Sequence, residues 1–352
     1  MAKIIHVSNF GRKPKGAFQH SVENKLSNGL IRNGHYVANF SDRDAARQGA
    51  WIGHRKFGVS AANKMLRDFC YNIRPDLLLL GHADVIKPET LAAIRSDQPS
   101  IKIVQWNVDA MFVPDNIRRI SSKLEVVDAT LVSTAGEALA PLTKIGHGFV
   151  GYMPNPVDFS VESGRNFEKT DLPYDLFFPC GNPTATRQVC GANWLPETLI
   201  EQIEKQIPGI RCLVTGIRGV PLLAGAAYQA AMESAAIGLN LSRESHWSLY
   251  SSDRLAQMCG NGMAIVMDRA TGFGELIADD AFAFYSSFEQ MIEIIRRLKT
   301  DQSYRQALAK AGRERYHALF NEQVIARYIM EVAFDTLRES DYLWPTRFKP
   351  PA

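Results

Sequence analysis

The sequence predicts an α/β protein built from two doubly wound domains, and three observations lead to that prediction. The chain has 352 residues, more than one hydrophobic core usually serves. Short apolar, β-branched runs alternate with helix-length amphipathic stretches, and the runs are apolar throughout, as in parallel strands covered on both faces. A polar, proline-containing stretch after residue 153 interrupts this rhythm, which then starts again.

The first half of the chain contains the elements of one such domain. The predicted strands are residues 3–9, 35–40, 76–81, 102–108, 129–133 and 148–153. The predicted helices are residues 18–33, 61–72, 88–95 and 137–143. Strands that alternate with helices favour a parallel sheet with helices on both faces, which is a Rossmann-like arrangement.

The second half repeats the pattern. Strands are predicted at residues 174–179, 210–215, 237–241, 263–267 and 281–285, and helices at 196–206, 222–235, 252–258, 288–298, 302–319 and 322–337. We therefore expect a domain at 1–155, a linker at 156–172, a second domain at 173–335 and a tail at 336–352. The two domains are expected to face each other across a cleft, which is the default ligand site.

Composition excludes several classes of protein. Apolar residues make up 46% of the chain and charged residues 22%, which is ordinary for a globular protein. The longest apolar runs are strand-sized, and the N-terminus lacks the pattern of a signal peptide. The five cysteines are scattered, which favours free thiols in a reducing compartment. We therefore expect a cytoplasmic protein.

Charge is unevenly distributed between the two halves. Residues 1–155 carry a net charge of +7 and the remainder −4. A modestly positive half suits an anionic small substrate or peripheral contact with the acidic inner face of a membrane, and equally a solvated surface. No nucleic-acid module is recognisable, so no nucleic-acid partner is predicted.

The segment from Ser252 to Gly262 is the most informative stretch for function. A polar turn at Ser252 opens a short helix, whose free N–H groups can bind an anion. Arg254 lies in the first turn, where its guanidinium can add donors to a pyrophosphate. Gly260 and Gly262 then permit a tight turn into the next strand. An ordinary capped helix with a surface arginine is the alternative interpretation.

Residues 237–332 resemble the C-terminal domain of family-1-type glycosyltransferases, and within these the spore-maturation CgeB-like group. The resemblance rests on the order and spacing of Gly238-Leu239-Asn240, Ser252, Arg254, Asn261-Gly262, Phe273-Gly274-Glu275-Leu276 and Ala309-Lys310-Ala311-Gly312-Arg313. Residues 174–181 are similar to that domain's first strand. Over the first half the likeness is only architectural.

The resemblance implies a GT-B fold, with C-terminal helices that pack back towards the N-terminal domain. It also implies a nucleotide-sugar donor, UDP- or GDP-linked, without a further cofactor. Glycine and polar residues after the strands of the second domain are the expected donor contacts: Gly181, Asn182, Gly216, Asn240, Ser242, Arg243, Ser252, Arg254, Gln257 and Glu275. Plain turn chemistry is the alternative role for the glycines.

Two positions depart from the family pattern. Gln257 stands where the family usually has a glutamate that grips the donor ribose, so the grip lacks a charge. Leu249 stands eight positions earlier, where many retaining members have a second glutamate. The stereochemical outcome, inverting or retaining, is therefore open.

The first domain is expected to bind the acceptor, a glycan or a lipid-linked glycan. In glycosyltransferases of this type the loop after the first strand lines the acceptor side. Its residues here, with a histidine that follows the third strand, give the expected acceptor contacts: Ser8, Asn9, Gly11, Arg12, Lys15 and His82. A flexible surface loop is the alternative.

An inverting transfer needs a base, and two residues are proposed for that role. Asp109 follows the strand at 102–108, and His20 begins the first helix. His6, within the first strand, is expected to be a core histidine. The donor half has no Asp-x-Asp motif in the expected place, so no metal is predicted, and arginines would neutralise the leaving nucleotide.

Three functions remain open at this point. The first is a glycosyltransferase in cell-surface polysaccharide or glycoconjugate synthesis. The second is an epimerase that acts on nucleotide-sugars on the same fold. The third is a catalytically idle relative with a binding or structural role, which Gln257 keeps open.

Overall fold

The computed structural model of the protein describes residues 1–11 and 20–349. Its strands are β1 Lys3–Ser8, β2 Tyr36–Ser41, β3 Leu77–Gly81, β4 Lys102–Asn107, β5 Ala129–Val132, β6 Phe149–Tyr152, β7 Tyr174–Pro179, β8 Arg187–Val189, β9 Ala192–Trp194, β10 Cys212–Thr215, β11 Ala235–Asn240, β12 Ala264–Asp268 and β13 Ala283–Tyr285. All eleven predicted strands are confirmed, with ends that differ by at most two residues.

The helices are α1 Val22–Arg32, α2 Asp42–Gln48, α3 Val59–Ile73, α4 Pro88–Asp97, α5 Pro114–Ser121, α6 Ala140–Thr143, α7 Pro196–Gln206, α8 Gly225–Glu233, α9 Asp253–Gly260, α10 Phe288–Thr300, α11 Gln302–Phe320 and α12 Glu322–Ala333. Two of them, α2 and α5, were not predicted. Both are short and rich in charged residues, so neither has the long apolar period that marks a helix.

Two compact units make up the chain. Unit 1 contains Met1–Pro156 and Glu322–Ala352, and unit 2 contains Val157–Asn321. Both have a parallel sheet, with the strand order β2-β1-β3-β4-β5-β6 in unit 1 and β10-β7-β11-β12-β13 in unit 2. The predicted α/β class with doubly wound sheets is therefore confirmed.

The sheet of unit 1 is buried on both faces. All five residues of β3 are buried, since α3 and α4 pack against one side of the sheet through Leu66, Leu91 and Ile94. Burial on both faces explains why the strands are continuously apolar rather than alternating. Unit 2 has an equivalent core, in which β7, β11 and β12 pack against α7 and α10.

The helix α12 belongs to unit 1, although the sequence placed it in a second domain that ends at residue 335. It packs along α1, where Arg32 Nη1 binds Glu322 Oε1 at 2.5 Å and Gly29 lets the two backbones approach closely. The expected return of the C-terminal helices is thus confirmed for α12. The C-terminal tail also belongs to unit 1, where Tyr328 OH on α12 donates to Thr346 O at 2.6 Å.

The expected linker at 156–172 is packed, and residues 157–172 lie in unit 2. Asn166 Nδ2 donates to Met232 O and Ala235 O, both at 2.7 Å, and Phe167 and Leu172 are buried in the core. Asn166 therefore satisfies backbone groups of unit 2, whereas Arg165 and Glu168 face solvent.

Candidate functional site

The site in unit 2 is organised around Arg254 at the reversal point of the sheet. The strand order reverses between β7 and β11, and such a switch point is where doubly wound sheets bind ligands. Arg254, in the first turn of α9, donates from Nη1 to Pro179 O at 2.7 Å and from Nη2 to Leu241 O at 2.6 Å. Its guanidinium is therefore held between the carboxyl ends of the two strands.

Arg187 is a second arginine at this edge, and the sequence analysis missed it. It begins β8, is buried, and donates from Nη1 to Ala185 O at 2.7 Å and to Thr186 O at 3.0 Å. Burial lowers the pKa of its guanidinium, and the positive charges of Arg254 and Arg243 lower it further. An arginine shortly after the glycine-containing loop that follows β7 was the signal available in the sequence, but β8 itself was not predicted.

Neither Arg187 nor Arg254 forms an ion pair with a carboxylate of the described residues. Burial also lowers the pKa of Arg254, although an arginine stays charged at neutral pH. Buried charges are costly unless an opposite charge or hydrogen bonds compensate them. The charges of Arg187 and Arg254 are compensated only by backbone carbonyls and, for Arg187, by the thiol of Cys180. The two arginines therefore form a site suited to an anion.

The start of α9 adds polar groups to the same edge. The side chain of the N-cap residue, Ser252, does not cap the helix, and within the described part of the chain its buried Oγ has no hydrogen-bond partner. A helix N-terminus attracts negative charge, and the Ser252 hydroxyl adds a polar group without a partner in the described residues there.

The loop after β7 carries Gly181 and Asn182. Asn182 Oδ1 accepts from Thr184 N at 3.1 Å and from Thr184 Oγ1 at 2.9 Å, so its side chain shapes the loop. A Cβ built on Gly181 would meet nothing within 4 Å, so this position faces open space. Gly216 has φ +82°, and a Cβ there would stand 2.0 Å from Cys180 O, so tight packing explains this glycine.

The end of β11 and the segment after it contain three of the predicted residues. Asn240 is buried at the end of the strand. Ser242 is tied to β8, since Gln188 N donates to Ser242 O at 2.9 Å. Arg243 is exposed beside Arg187 and contributes to the positive charge there. The structure therefore brings the ends of β7 and β11 and the start of α9 together.

Gln257 is engaged within unit 2 on both sides of its amide. Its Oε1 accepts from Tyr228 OH at 3.0 Å, and its Nε2 donates to Asp253 Oδ2 at 2.5 Å. The side chain therefore links α8 to the first turn of α9. Glu275 lies on an exposed turn after β12, and no hydrogen bond or ion pair connects it to the arginines.

Unit 1 has polar groups at the equivalent edge of its own sheet. Asp109 follows β4, and Arg119 Nη2 donates to its Oδ2 at 3.2 Å. His82 follows β3 with φ +48°, a rare backbone conformation for a residue other than glycine. Its Nδ1 lies 3.6 Å from Asp109 Oδ2. Since 51% of the Asp109 side chain is exposed, the carboxylate can also reach a ligand.

A narrow recess lies next to this pair of residues. Its walls come from the ends of β3 and β4 and from α5 and the turn after it, and the polar lining residues are His82, Asp84, Gln105, Asn107, Arg119 and Lys123. Lys123 is 6% exposed, and burial lowers its pKa. Burial raises the pKa of the nearby Asp42 to about 6.

The predicted acceptor loop is described only in part. Arg12 and Lys15 lie outside the described residues. Ser8 is fully buried and donates to Gly81 O at 2.7 Å, so it joins the ends of β1 and β3, whereas Asn9 and Gly11 are partly exposed. His20 lies immediately before α1 and is half-buried.

His6 is a core histidine, as expected. Trp106 Nε1 donates to its Nε2 at 3.1 Å, and its Nδ1 lies 2.9 Å from Ser27 Oγ. Burial lowers the pKa of His6 to about 3, so the ring is neutral and serves packing.

Two further features bear on the chemistry. Within residues 1–11 and 20–349, no group of three or more His, Cys, Asp or Glu side chains is arranged to hold a metal ion. In the same residues, no helix combines the length and the apolar character required to cross a bilayer.

Part of the chain matches a known protein family. Residues 187–331 match the family model described as "Glycosyl transferase-like". No curated protein sequence matches the chain significantly.

Solved structures match almost the whole chain. Sucrose-phosphate synthase from Thermosynechococcus elongatus gives a TM-score of 0.61 at 12% identity, over 95% of this chain and 99% of that one. Anabaena HepE in complex with UDP-glucose gives 0.61 at 14% identity, over 96% and 100%. A UDP-forming trehalose-phosphate synthase from Burkholderia xenovorans gives 0.57 at 11% identity, over 96% and 99%. At these identities the likeness establishes the fold.

Proposed function

We propose that this chain, which has the GT-B fold of glycosyltransferases and a glycosyl transferase-like match over residues 187–331, transfers a sugar from a nucleotide-sugar donor to a hydroxyl acceptor. Unit 2 holds the donor in this proposal, and unit 1 contributes the acceptor contacts. The acceptor is a glycan or lipid-linked glycan of cell-surface polysaccharide or glycoconjugate synthesis.

The observation that carries the proposal is the pair Arg187 and Arg254. Both guanidiniums lie at the carboxyl edge of the unit 2 sheet without a carboxylate partner among the described residues. The diphosphate of a nucleotide-sugar supplies the missing negative charge, and arginine is well suited to phosphate oxygens. When the sugar bond breaks, charge grows on that diphosphate, so the same arginines stabilise the transition state.

The rest of the donor site follows from this placement. Gly181 faces open space, so a nucleotide can approach the backbone there. Ser252 Oγ and the first N–H groups of α9 add hydrogen-bond donors. UDP is the favoured nucleotide, because the similar HepE structure contains UDP-glucose. GDP remains the alternative.

We propose Asp109 as the base for an inverting transfer. Its exposed carboxylate can accept the proton of the acceptor hydroxyl, while the hydrogen bond from Arg119 holds it in place. His82, at 3.6 Å from Asp109, would contact the acceptor and steady the same carboxylate. His20 stays the second choice of base.

We propose that the reaction needs no metal ion, because the arginines and the α9 N-terminus supply the positive charge that a metal provides in other enzymes. Activity is therefore expected to persist in EDTA. Complete loss that added Mg²⁺ or Mn²⁺ restores would contradict this part of the proposal and leave the donor assignment intact.

A nucleotide panel tests the function most directly. Thermal shifts are measured with UDP, GDP, ADP, CMP and TDP, and one nucleoside diphosphate is expected to stabilise the protein by about 2.7 kcal/mol at a hundred times its dissociation constant. The corresponding donor sugars are then incubated with and without acceptor. Product that forms without acceptor identifies an epimerase, and binding without any turnover identifies an idle relative.

A further inference from the structure

Residues 50–58 of unit 1, here called the Trp51 loop, expose an unusual concentration of apolar surface. Trp51 is 103% exposed, Ile52 71% and Phe57 72%, and all three lie within seven residues of sequence. Single exposed apolar residues are ordinary on a protein surface, but a cluster that contains two aromatic rings indicates an interaction site.

The base of the loop is fixed to the fold. A Cβ on Gly58 would stand 1.7 Å from Ala46 O, and one on Gly49 would stand 2.4 Å from the Ala61 side chain. The glycines therefore let the end of α2 and the start of α3 touch below the loop, where Ala50 is buried.

The loop also has ordered internal structure. Gly53 N donates to Ala50 O at 2.9 Å with φ +66° at Gly53, and Phe57 N donates to His54 O at 3.1 Å in a single 3₁₀ turn. The His54 and Phe57 rings lie 5.8 Å apart. The exposed side chains are thus presented by a defined turn.

Basic residues stand between the apolar ones. His54, Arg55 and Lys56 are exposed, and within the described part of the chain Arg55 and Lys56 form no ion pair. Tryptophan favours the interface between lipid headgroups and hydrocarbon, and each lysine or arginine near an anionic bilayer adds attraction. A protein partner would need a broader surface than one loop of nine residues supplies.

We propose that the Trp51 loop docks the protein on an anionic lipid surface, with Trp51, Ile52 and Phe57 entering the headgroup region and Arg55 and Lys56 contacting the lipid phosphates. The docking rests on the exposure and charge of the loop alone. It is independent of the sugar-transfer proposal, and its test requires no enzymatic activity.

Vesicle binding is the test. The full chain is mixed either with vesicles of phosphatidylcholine alone or with vesicles that also contain about 30 mol% phosphatidylglycerol. The second kind has a clearly negative surface. Co-sedimentation is expected only with the anionic vesicles, and it is expected to weaken when salt rises from about 0.1 to 0.5 M. The emission of Trp51, one of five tryptophans, is expected to shift to shorter wavelength on binding.

Two variants separate the contributions of the loop. Trp51→Ser is expected to lower the vesicle affinity at least about tenfold and to abolish the emission shift, because the residue enters the interface. Arg55→Gln with Lys56→Gln is expected to lower the affinity about fivefold for each charge removed. Neither change touches the core, so the melting temperature is expected to stay unchanged.

Matched controls lie elsewhere in unit 1. Leu343→Ser removes another exposed apolar side chain, which is 62% exposed, and Lys64→Gln removes a cation on α3. Both are expected to bind vesicles as the wild type does. Absence of binding, equal binding to both vesicle types, or wild-type binding by Trp51→Ser would overturn the proposal. A dimer in solution that Trp51→Ser dissociates would also overturn it, since a second copy would then cover the loop.

Discussion

Arg187 and Arg254 are, at the scale of single residues, the side chains on which the proposed donor site depends. Each uses part of its guanidinium to hold backbone carbonyls, Arg187 within its own loop and Arg254 across the strands β7 and β11. In the proposed function, the diphosphate of the donor compensates the rest of the charge.

We expect Arg254→Ala to lower transfer about a hundredfold, because a charge-assisted contact to the leaving diphosphate is lost. Arg187→Ala is expected to act in the same direction. The measurement is kcat/KM at fixed donor, with circular dichroism to check the fold. Arg165→Ala removes an exposed arginine that pairs with exposed Glu168, and it should leave activity unchanged. Activity of Arg254→Ala within threefold of the wild type would refute the assignment.

Asp109 is the proposed base of the transfer, and its carboxylate can be tested by an isosteric change. Asp109→Asn keeps the shape of the side chain but removes the base, so transfer is expected to fall about a hundred- to ten-thousandfold while nucleotide binding persists. Asp115→Asn, on α5 and exposed, is the matched control. If Asp109→Asn stays active and His20→Ala does not, the base is His20. If both stay active, the mechanism needs no such base, as in a retaining transfer.

Gln257 stands where the resembled family usually has a glutamate, so Gln257→Glu tests whether this position faces the donor ribose. Gln257→Glu would place a carboxylate next to Asp253 and remove the N–H that now donates to it at 2.5 Å. We expect the free energy of unfolding to fall by about 1 kcal/mol at pH 7. Two neighbouring carboxylates raise each other's pKa in the folded state, so the loss should shrink as the pH falls and the pair takes up a proton.

Urea unfolding at pH 7 and pH 5 measures this difference. Gln229→Glu, a neighbouring amide on α8 whose Nε2 binds Glu233, gives a matched carboxylate pair away from the first turn of α9, although its Nε2 also donates to Asn261 at the other end of that helix. A Gln257→Glu variant that is as stable as the wild type and binds nucleotide more tightly would show that residue 257 faces the ribose.

The packing of α1 on α12 is the informative contact at the scale of elements. A Cβ on Gly29 would stand 2.0 Å from Glu322 O, closer than any side chain tolerates, so the two helices would have to separate. We expect Gly29→Ala to lower the free energy of unfolding of unit 1 by about 1–3 kcal/mol, despite the better helix propensity of alanine.

Thermal or urea unfolding checks the effect. Ile31→Ala, which shortens a 54% exposed side chain on the same helix, should change stability by less than about 0.5 kcal/mol. Equal stability of Gly29→Ala and the wild type would mean that the close approach of α1 and α12 is absent in solution.

At the scale of the whole molecule, the division into two units predicts which fragments of the chain fold by themselves. Unit 2 is continuous in sequence, and its ends meet, because Val157 N donates to Phe320 O at 2.9 Å. Unit 1 needs residues from both ends of the chain. A fragment of residues 157–321 is therefore expected to fold alone and to bind the nucleotide, whereas residues 1–156 lack the partner of α1 and should not fold.

Heteronuclear NMR spectra and nucleotide titration of the two fragments test this prediction. Adding residues 322–352 to the first fragment through a short linker serves as the control, since it restores α12 beside α1. A folded fragment 1–156 together with an unfolded fragment 157–321 would contradict the division into units.

The sequence by itself determined the fold class and the eleven strands of the two parallel sheets, and it predicts a site around Arg254. These are local signals: continuous apolar runs arise from burial on both faces, and the polar turn at Ser252 followed by a helical period marks the start of α9. Only the tertiary structure placed α12 in unit 1, packed residues 157–172 into unit 2, and brought Arg187 next to Arg254. Those outcomes depend on contacts between residues distant in sequence, whose geometry no local pattern encodes. The same is true of Gln257, where a partner on α8, Tyr228, decides what the amide binds.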